Sequence, residues 1–446
     1  MTTNIHSSDR ERTRERPDRK AELRARLEDA RARTWQLIDS LSDEDTRKQH
    51  SPLMSPLVWD VAHIGNFEEL WLVKELGNLP SVDPLFDQIY DAFKNPRRER
   101  EKLPLLDRNQ CHDYLAAIRM KALRHLDEVD LSTADPLTKD GYVFEMIAQH
   151  EYQHNETMLA TLQIMDDPGY QPDIPLTRKG EAPANEMVVI DAGPFSMGTR
   201  DRVVAYDNER PAHEVWLPSY WIDTTPVTNA AYDAFIRDSG YERPELWAPE
   251  GVAWLQETQA RAPQFWQHQQ DAWRVNRFGH WQPLNPLEPV QHVCFWEADA
   301  FARWAGKRLP TEAEWEKAAS WDPTRQSKRI YPWGDEPPTR DHANLDQYSF
   351  GPSEVGAYPR GMSAYGCHQM IGDVWEWVNS DFMPYPGFEA FPYKEYSEVF
   401  FGTDYKMLRG GSWAVRPGAI RNTFRNWDYP IRRQIFSGFR CAKDAR

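Results

Sequence analysis

The stretch Ala148-Gln149-His150-Glu151-Tyr152-Gln153-His154-Asn155-Glu156-Thr157-Met158 decides how this chain is read. His150 and His154 are four residues apart, so on an α-helix they lie one turn above the other and face the same way. Two imidazoles in that geometry can clasp one metal ion. The letters H-E-x-x-H also spell the zinc-protease signature, and histidine pairs at this spacing arise by chance on exposed helices. The remainder of the chain has to choose among these readings.

Working outward, the stretch falls in the last of four helical segments. The first begins at Ala21 and places Leu23, Leu27, Ala30, Thr34, Leu37, Ile38 and Leu41 at three- and four-residue steps. The second opens at Ser55-Pro56, with proline expected at the first helical position, and runs through Leu57, Val58, Val61, Ile64, Phe67, Leu70 and Trp71. Residues 79–105 form a long link rich in proline and charge that ends in Asn95-Pro96-Arg97-Arg98-Glu99-Arg100. The third helix is expected over 107–127 and the fourth over 141–165. Four amphipathic helices with one long crossover predict a four-helix bundle over residues 21–166. His63 is centred on the apolar stripe of the second helix. Alone it reads as a buried histidine bonded to a neighbour; beside His150 and His154 it becomes a third imidazole in a bundle core, where metal sites are built.

Composition bounds the rest. A chain of 446 residues predicts two or three domains. A formal net charge of -16 argues against a nucleic-acid surface. No run approaches the roughly 18 apolar residues of a membrane span. Residues 1–20 are polar and lack an apolar core, so they read as a disordered lead-in and not as a secretory signal. The four cysteines are widely spaced, which fits a reducing cytosol and a cytoplasmic location. Residues 167–186 read as a Pro-rich linker. From 187 to 446 the character changes to short β-like runs, turns, helices near 229–235 and 296–304, and many Trp-containing loops. Nineteen Trp, as many as Phe, predict large irregular regions packed with rigid aromatic plates.

This second part resembles a known family. Gly193-Pro194-Phe195-Ser196-Met197-Gly198, Pro226-Val227-Thr228-Asn229, Arg308-Leu309-Pro310-Thr311-Glu312-Ala313-Glu314-Trp315-Glu316, Tyr331-Pro332-Trp333-Gly334, Gly372-Asp373-Val374-Trp375-Glu376-Trp377, Arg409-Gly410-Gly411-Ser412-Trp413 and Gly438-Phe439-Arg440 occur in order. Together they resemble the formylglycine-generating-enzyme fold, a loop-rich relative of C-type lectins. The bundle is similar to DinB-like metal-binding bundles, so the fold class is α+β in two domains. One family joins the two modules in this order, the ergothioneine-biosynthesis sulfoxide synthases of actinobacterial type, and Arg425-Asn426-Trp427-Asp428-Tyr429-Pro430-Ile431-Arg432-Arg433-Gln434 resembles it most closely. The resemblance implies a mononuclear iron(II) enzyme that uses O2 to join the thiol of γ-glutamylcysteine to imidazole C2 of hercynine, leaving a sulfoxide. Formylglycine-generating enzymes bind copper through a C-terminal cysteine pair. Residues 413–438 contain no cysteine and Cys441 stands alone, so that activity is not expected.

The chemistry agrees with these residue types. Three neutral imidazoles fill one face of an octahedron and leave the full charge of the ion uncompensated. A substrate thiol, deprotonated by the metal, supplies that compensation. γ-Glutamylcysteine carries two carboxylates and one ammonium, and arginine pairs bidentately with carboxylates. The resemblance assigns Arg97, Arg98, Arg100 and Arg432 to the carboxylates and Asp428 to the ammonium. The quaternary ammonium of hercynine is attracted by aromatic faces; Trp413, Trp427 and Tyr396 are candidates, with Gln153 and Asn426 as polar contacts. Tyr393 matches the family's active-site tyrosine, which gives a proton or hydrogen bond during oxidation and steers it toward C–S bond formation. The protease reading lacks its third ligand: Thr157 and Ala160 stand where a metzincin needs glycine and histidine. Glu151 is then expected to support the site or face solvent. Two other readings remain open: a related sulfoxide synthase of ovothiol synthesis acting on histidine and cysteine, and a lectin-like binding protein with a structural zinc.

Overall fold

The computed structural model describes residues 18–166, 169–170, 172, 178–184 and 186–445. The lead-in expected over 1–20 therefore lies outside the described residues except at its end, and so does much of the linker expected over 167–186.

Four long helices form the first domain: α1 (Arg19–Ile38), α2 (Leu57–Glu68), α3 (Arg108–Glu128) and α4 (Tyr142–Ile164). Each start has a local cause. Asp18 caps α1 by accepting from the Lys20 N–H, so that helix begins two residues before the expected Ala21. Asp107 and Gln110 close a reciprocal capping box on α3. Gly141 opens α4 at φ +82°, and a Cβ there would sit 2.3 Å from Leu23 Cδ1, so only glycine fits. Pro56 stands at the N-cap of α2 and not at its first helical position. Beyond Glu68 the α2 rod continues as a π-helical segment, Glu69–Glu75, a form frequent at functional sites.

The bundle core is partly ionic. Glu68 and Glu151 are fully buried against Arg31 and Arg119, with ion-pair distances of 2.6–3.1 Å. Burial works to raise the Glu68 carboxyl, but the guanidiniums of Arg119 and Arg31 prevail and hold it below its usual range. Leu23, Leu27 and Ala30 of α1 and Leu57, Val58 and Val61 of α2 supply apolar packing around it.

The second domain starts with β1 (Met187–Ile190), β2 (Gly193–Met197), β3 (His213–Leu217) and β4 (Tyr220–Asp223). β1 and β4 pair antiparallel and a C-terminal strand (Ala442–Asp444) adds to β4; β2 and β3 form a separate hairpin. The expected helices appear as Asn229–Arg237, capped by Thr228, and Phe295–Trp304. Near the C-terminus a four-stranded sheet sets Gly402–Arg409 between Trp375–Phe382 and Asn426–Asp428, with Ser437–Gly438 on the outer side of Trp375–Phe382. Between Trp375–Phe382 and Gly402–Arg409 the chain leaves the sheet over 383–401. That excursion carries Tyr393 and Tyr396 to the bundle. Among the described residues no helix is long and apolar enough to cross a membrane.

Candidate metal centre

His63 is carried by α2, His150 and His154 by α4. One ring nitrogen from each lies within 4.8 Å of the others, and the ring centroids are 5.2, 4.9 and 4.6 Å apart. Each ring is held by a different neighbour. His63 Nδ1 lies 2.7 Å from the Tyr90 carbonyl, which accepts its proton and leaves Nε2 as the lone-pair nitrogen; the ring stacks on Trp59 at 4.8 Å. His150 lies nearly flat on Phe67 at 3.9 Å. His154 Nδ1 faces the buried Asp60 carboxylate at 3.4 Å.

Burial, reinforced by the neighbouring His154, pushes His63 and His150 well below the ordinary imidazole value. They are neutral, the form that binds metals. Imidazole suits zinc, copper, iron and nickel, and holds a divalent ion at about 2.0–2.1 Å. Three imidazoles with ring nitrogens this close together fit a divalent transition metal. Glu151 does not face this cluster or solvent. Its carboxylate accepts from Thr34 Oγ at 2.7 Å and from Arg31 and Arg119, which corrects its possible surface placement and removes the base a protease requires.

The second domain closes one side. Tyr393 lies 5.1 Å from Trp71 and 6.0 Å from Phe67, ring to ring, so it borders the ring that supports His150. Gln153 Nε2 donates to the Tyr206 hydroxyl at 2.9 Å and lies 3.5 Å from that of Tyr396. Tyr206 and Tyr396 stack at 4.3 Å. Trp427 stands edge-on to Tyr396 at 6.2 Å and stacks on Phe382 at 4.0 Å. Asn426 Oδ1 accepts the Trp427 backbone N–H at 2.9 Å. Burial raises the Tyr393 and Tyr396 hydroxyls well above the usual phenol value, so both keep their protons. Trp413 does not join them: it is 1 % exposed, donates to Gln291 at 2.9 Å and packs on Phe436 and Phe350. It is a core residue.

The arginines divide. Arg432 is buried at the domain boundary, donating to the Leu53 carbonyl at 2.6 Å and pairing with Asp428 at 3.1 Å. Burial lowers its guanidinium, Asp428 opposes this, and the like charge of Arg97 adds to the lowering. Arg97 is exposed, and its charge is also felt at His63. Arg98 points to solvent, its side chain 76 % exposed beside Glu99, and is not brought to the cluster. Arg100 is buried. Its guanidinium lies 3.4 Å over Trp59 and donates to Ser55 Oγ at 2.7 Å and the Asn95 carbonyl at 2.9 Å. Those donors are already engaged, so Arg100 braces the crossover against α2. The sequence reading missed Tyr206, which lies in a loop with no periodic signal, and Asp60. For Asp60 a signal existed: an acid three residues before His63, inside an apolar helix.

Two family models match the chain: the DinB superfamily over residues 26–158 and the sulfatase-modifying factor enzyme 1-like domain over residues 174–445. A hercynine oxygenase of Mycolicibacterium smegmatis is 48 % identical over 425 residues, covering 93 % of this chain and 97 % of that protein. A hercynine oxygenase of Mycobacterium tuberculosis is 46 % identical over 428 residues, covering 95 % and 99 %. The structure of PvdO from Pseudomonas aeruginosa aligns over 61 % of this chain and all of its own, with 25 % identity and a TM-score of 0.41.

Proposed function

We propose, from the premise that this chain belongs to the hercynine oxygenase family, that it joins the thiol sulfur of γ-glutamylcysteine to imidazole C2 of hercynine and leaves that sulfur as a sulfoxide. The protein is an enzyme, an oxidoreductase. The reaction balances with O2 alone. The thiol and the imidazole C–H each lose one hydrogen, one oxygen atom goes to sulfur, and the other leaves with both hydrogens as water. Four electrons pass from the two substrates to O2.

His63, His150 and His154 are the residues that would hold iron(II), which supplies the one-electron chemistry that O2 needs to react with closed-shell substrates. The protein's own groups do the rest. Arg97 and Arg432, of like charge and from different domains, suit the carboxylates of γ-glutamylcysteine, and Asp428 suits its ammonium. Gln153 and Asn426 offer polar contacts to hercynine, while the faces of Tyr396 and Trp427 suit its quaternary ammonium. Tyr393, kept protonated by burial, is the proton or hydrogen-bond donor that steers oxidation toward the C–S bond.

The observation that carries this reading is the cluster of three imidazole nitrogens within 4.8 Å, bordered by aromatic side chains of the second domain. The test is anaerobic reconstitution with iron(II), then O2 uptake with hercynine and γ-glutamylcysteine. Uptake coupled to a hercynine-derived sulfoxide is expected. No hercynine-dependent product would defeat the assignment.

A further inference from the structure

Asp60 lies three residues before His63 on α2 and is 1 % exposed. Its carboxylate Oδ1 is 3.4 Å from His154 Nδ1. Both His154 Nδ1 and Asp60 Oδ2 are buried without a formed hydrogen bond. A buried carboxylate is costly unless paired, and two groups stand beside this one: the His154 ring and the Arg100 guanidinium, whose charge Asp60 supports. Arg100 in turn rests on Trp59, the indole on which His63 is stacked. Packing alone gives no reason for an acid here, because an apolar residue would fill the same helix face.

We propose that Asp60 is a positioning residue for the metal centre: it accepts the His154 Nδ1–H, turns Nε2 toward the ion, and places a negative charge beside a neutral donor set. The proposal rests on the three histidines being metal ligands. The supports then differ in kind: a neutral carbonyl for His63, a phenyl face for His150 and an anion for His154. Histidine ligands generally give their second N–H to a carboxylate or carbonyl, which fixes the tautomer and makes the other nitrogen a stronger donor. Arg100 brings the opposite charge to the neighbourhood of this acid, which accounts for the burial of an arginine expected to meet substrate.

Two substitutions separate orientation from charge. Asp60→Asn keeps an oxygen that can accept the Nδ1–H and removes the charge; Asp60→Ala removes both. Cobalt(II) is titrated anaerobically into each purified chain and followed by its visible ligand-field bands, with unfolding of the metal-free chains recorded in parallel. Asp60→Ala is expected to bind cobalt(II) about 10- to 100-fold more weakly, with altered bands, and Asp60→Asn is expected to fall between it and the unmodified chain. In the iron-loaded proteins Asp60→Asn is expected to raise the Fe(III)/Fe(II) midpoint potential, because the lost anion favoured the ferric charge. Unmodified affinity, bands and potential in Asp60→Asn, or unmodified affinity and bands in a folded Asp60→Ala, would overturn the proposal while leaving the three-histidine reading intact. Failure of the unmodified chain to bind cobalt(II) stoichiometrically would overturn the metal reading and the proposal with it.

Discussion

Gln153 of α4 donates from Nε2 to the Tyr206 hydroxyl across 2.9 Å, tying the helix that carries His150 and His154 to a loop of the second domain. The bond is made one residue before His154, so it orients the amide that the proposed function assigns to hercynine. Tyr206→Phe keeps the stack on Tyr396 and removes only this hydroxyl. A hydrogen bond of this kind contributes about 1 kcal/mol, or roughly fivefold. The KM for hercynine is expected to rise by about that factor while the KM for the thiol stays constant, as steady-state O2 uptake would measure. Equal KM values for hercynine would remove Tyr206 from the site.

Tyr393 packs against Trp71 and Phe67, beside the ring that supports His150. Tyr393→Phe retains that packing and loses the proton. O2 consumption is expected to continue, with product shifted from the sulfoxide toward the thiol's sulfinate. Mass spectrometry of the products decides it; an unchanged sulfoxide yield would take the role from Tyr393.

Arg97 and Arg98 are neighbours in sequence with opposite expectations. A hydrogen bond to a charged group is worth about 1.5–3 kcal/mol, so Arg97→Ala is expected to raise the KM for γ-glutamylcysteine at least tenfold and to erode its preference over free cysteine. Arg98→Ala, removing a side chain 76 % exposed, is expected to leave both constants unchanged. Kinetics with both thiols on both variants is the measurement, and equal effects of the two substitutions would refute the division.

Glu151, the residue a zinc protease would need most, is part of the bundle's ionic core. Glu151→Gln leaves Arg31 and Arg119 buried with too few carboxylates. Breaking such a buried pair costs about 3–5 kcal/mol, so the urea midpoint is expected to drop markedly while divalent-metal stoichiometry is retained. A variant of normal stability would contradict the structural role.

Acid is expected to destabilise the metal-free protein through the histidines. Burial holds His63 and His150 well below 6.5 in the folded state, whereas the unfolded chain takes up protons near pH 6.5. The unfolded state therefore binds more protons once pH falls below that value, and stability falls with it, by up to about 1.4 kcal/mol per pH unit for each ring. Urea midpoints at pH 7.5, 6.5 and 5.5 should decline, and His150→Phe should flatten the decline. A midpoint independent of pH across that range would show that these rings are not held neutral.

Much of the architecture was legible because it is local or ordered along the chain. A 3.6-residue repeat placed His150 and His154 on one face and His63 on an apolar stripe, and an ordered series of short motifs identified the second domain. Capping at Asp107 and Thr228 and the left-handed start at Gly141 follow from single residues acting on adjacent backbone.

What the tertiary structure alone decided were the relations between residues far apart in sequence. Arg97, Arg98 and Arg100 share one short segment and one side-chain chemistry, yet the fold leaves the first exposed where its charge is felt at His63 and Arg432, turns the second to solvent and buries the third on Trp59. Trp413 and Trp427 read alike as aromatic candidates until one is packed into the core and the other stands beside Tyr396. Asp60 finds His154, and Gln153 finds Tyr206, only after the helices pack and the domains close. Periodicity sets which way a side chain faces from its own helix. Which acceptor, ring or charge waits there depends on non-local packing, and so does the role each residue can take.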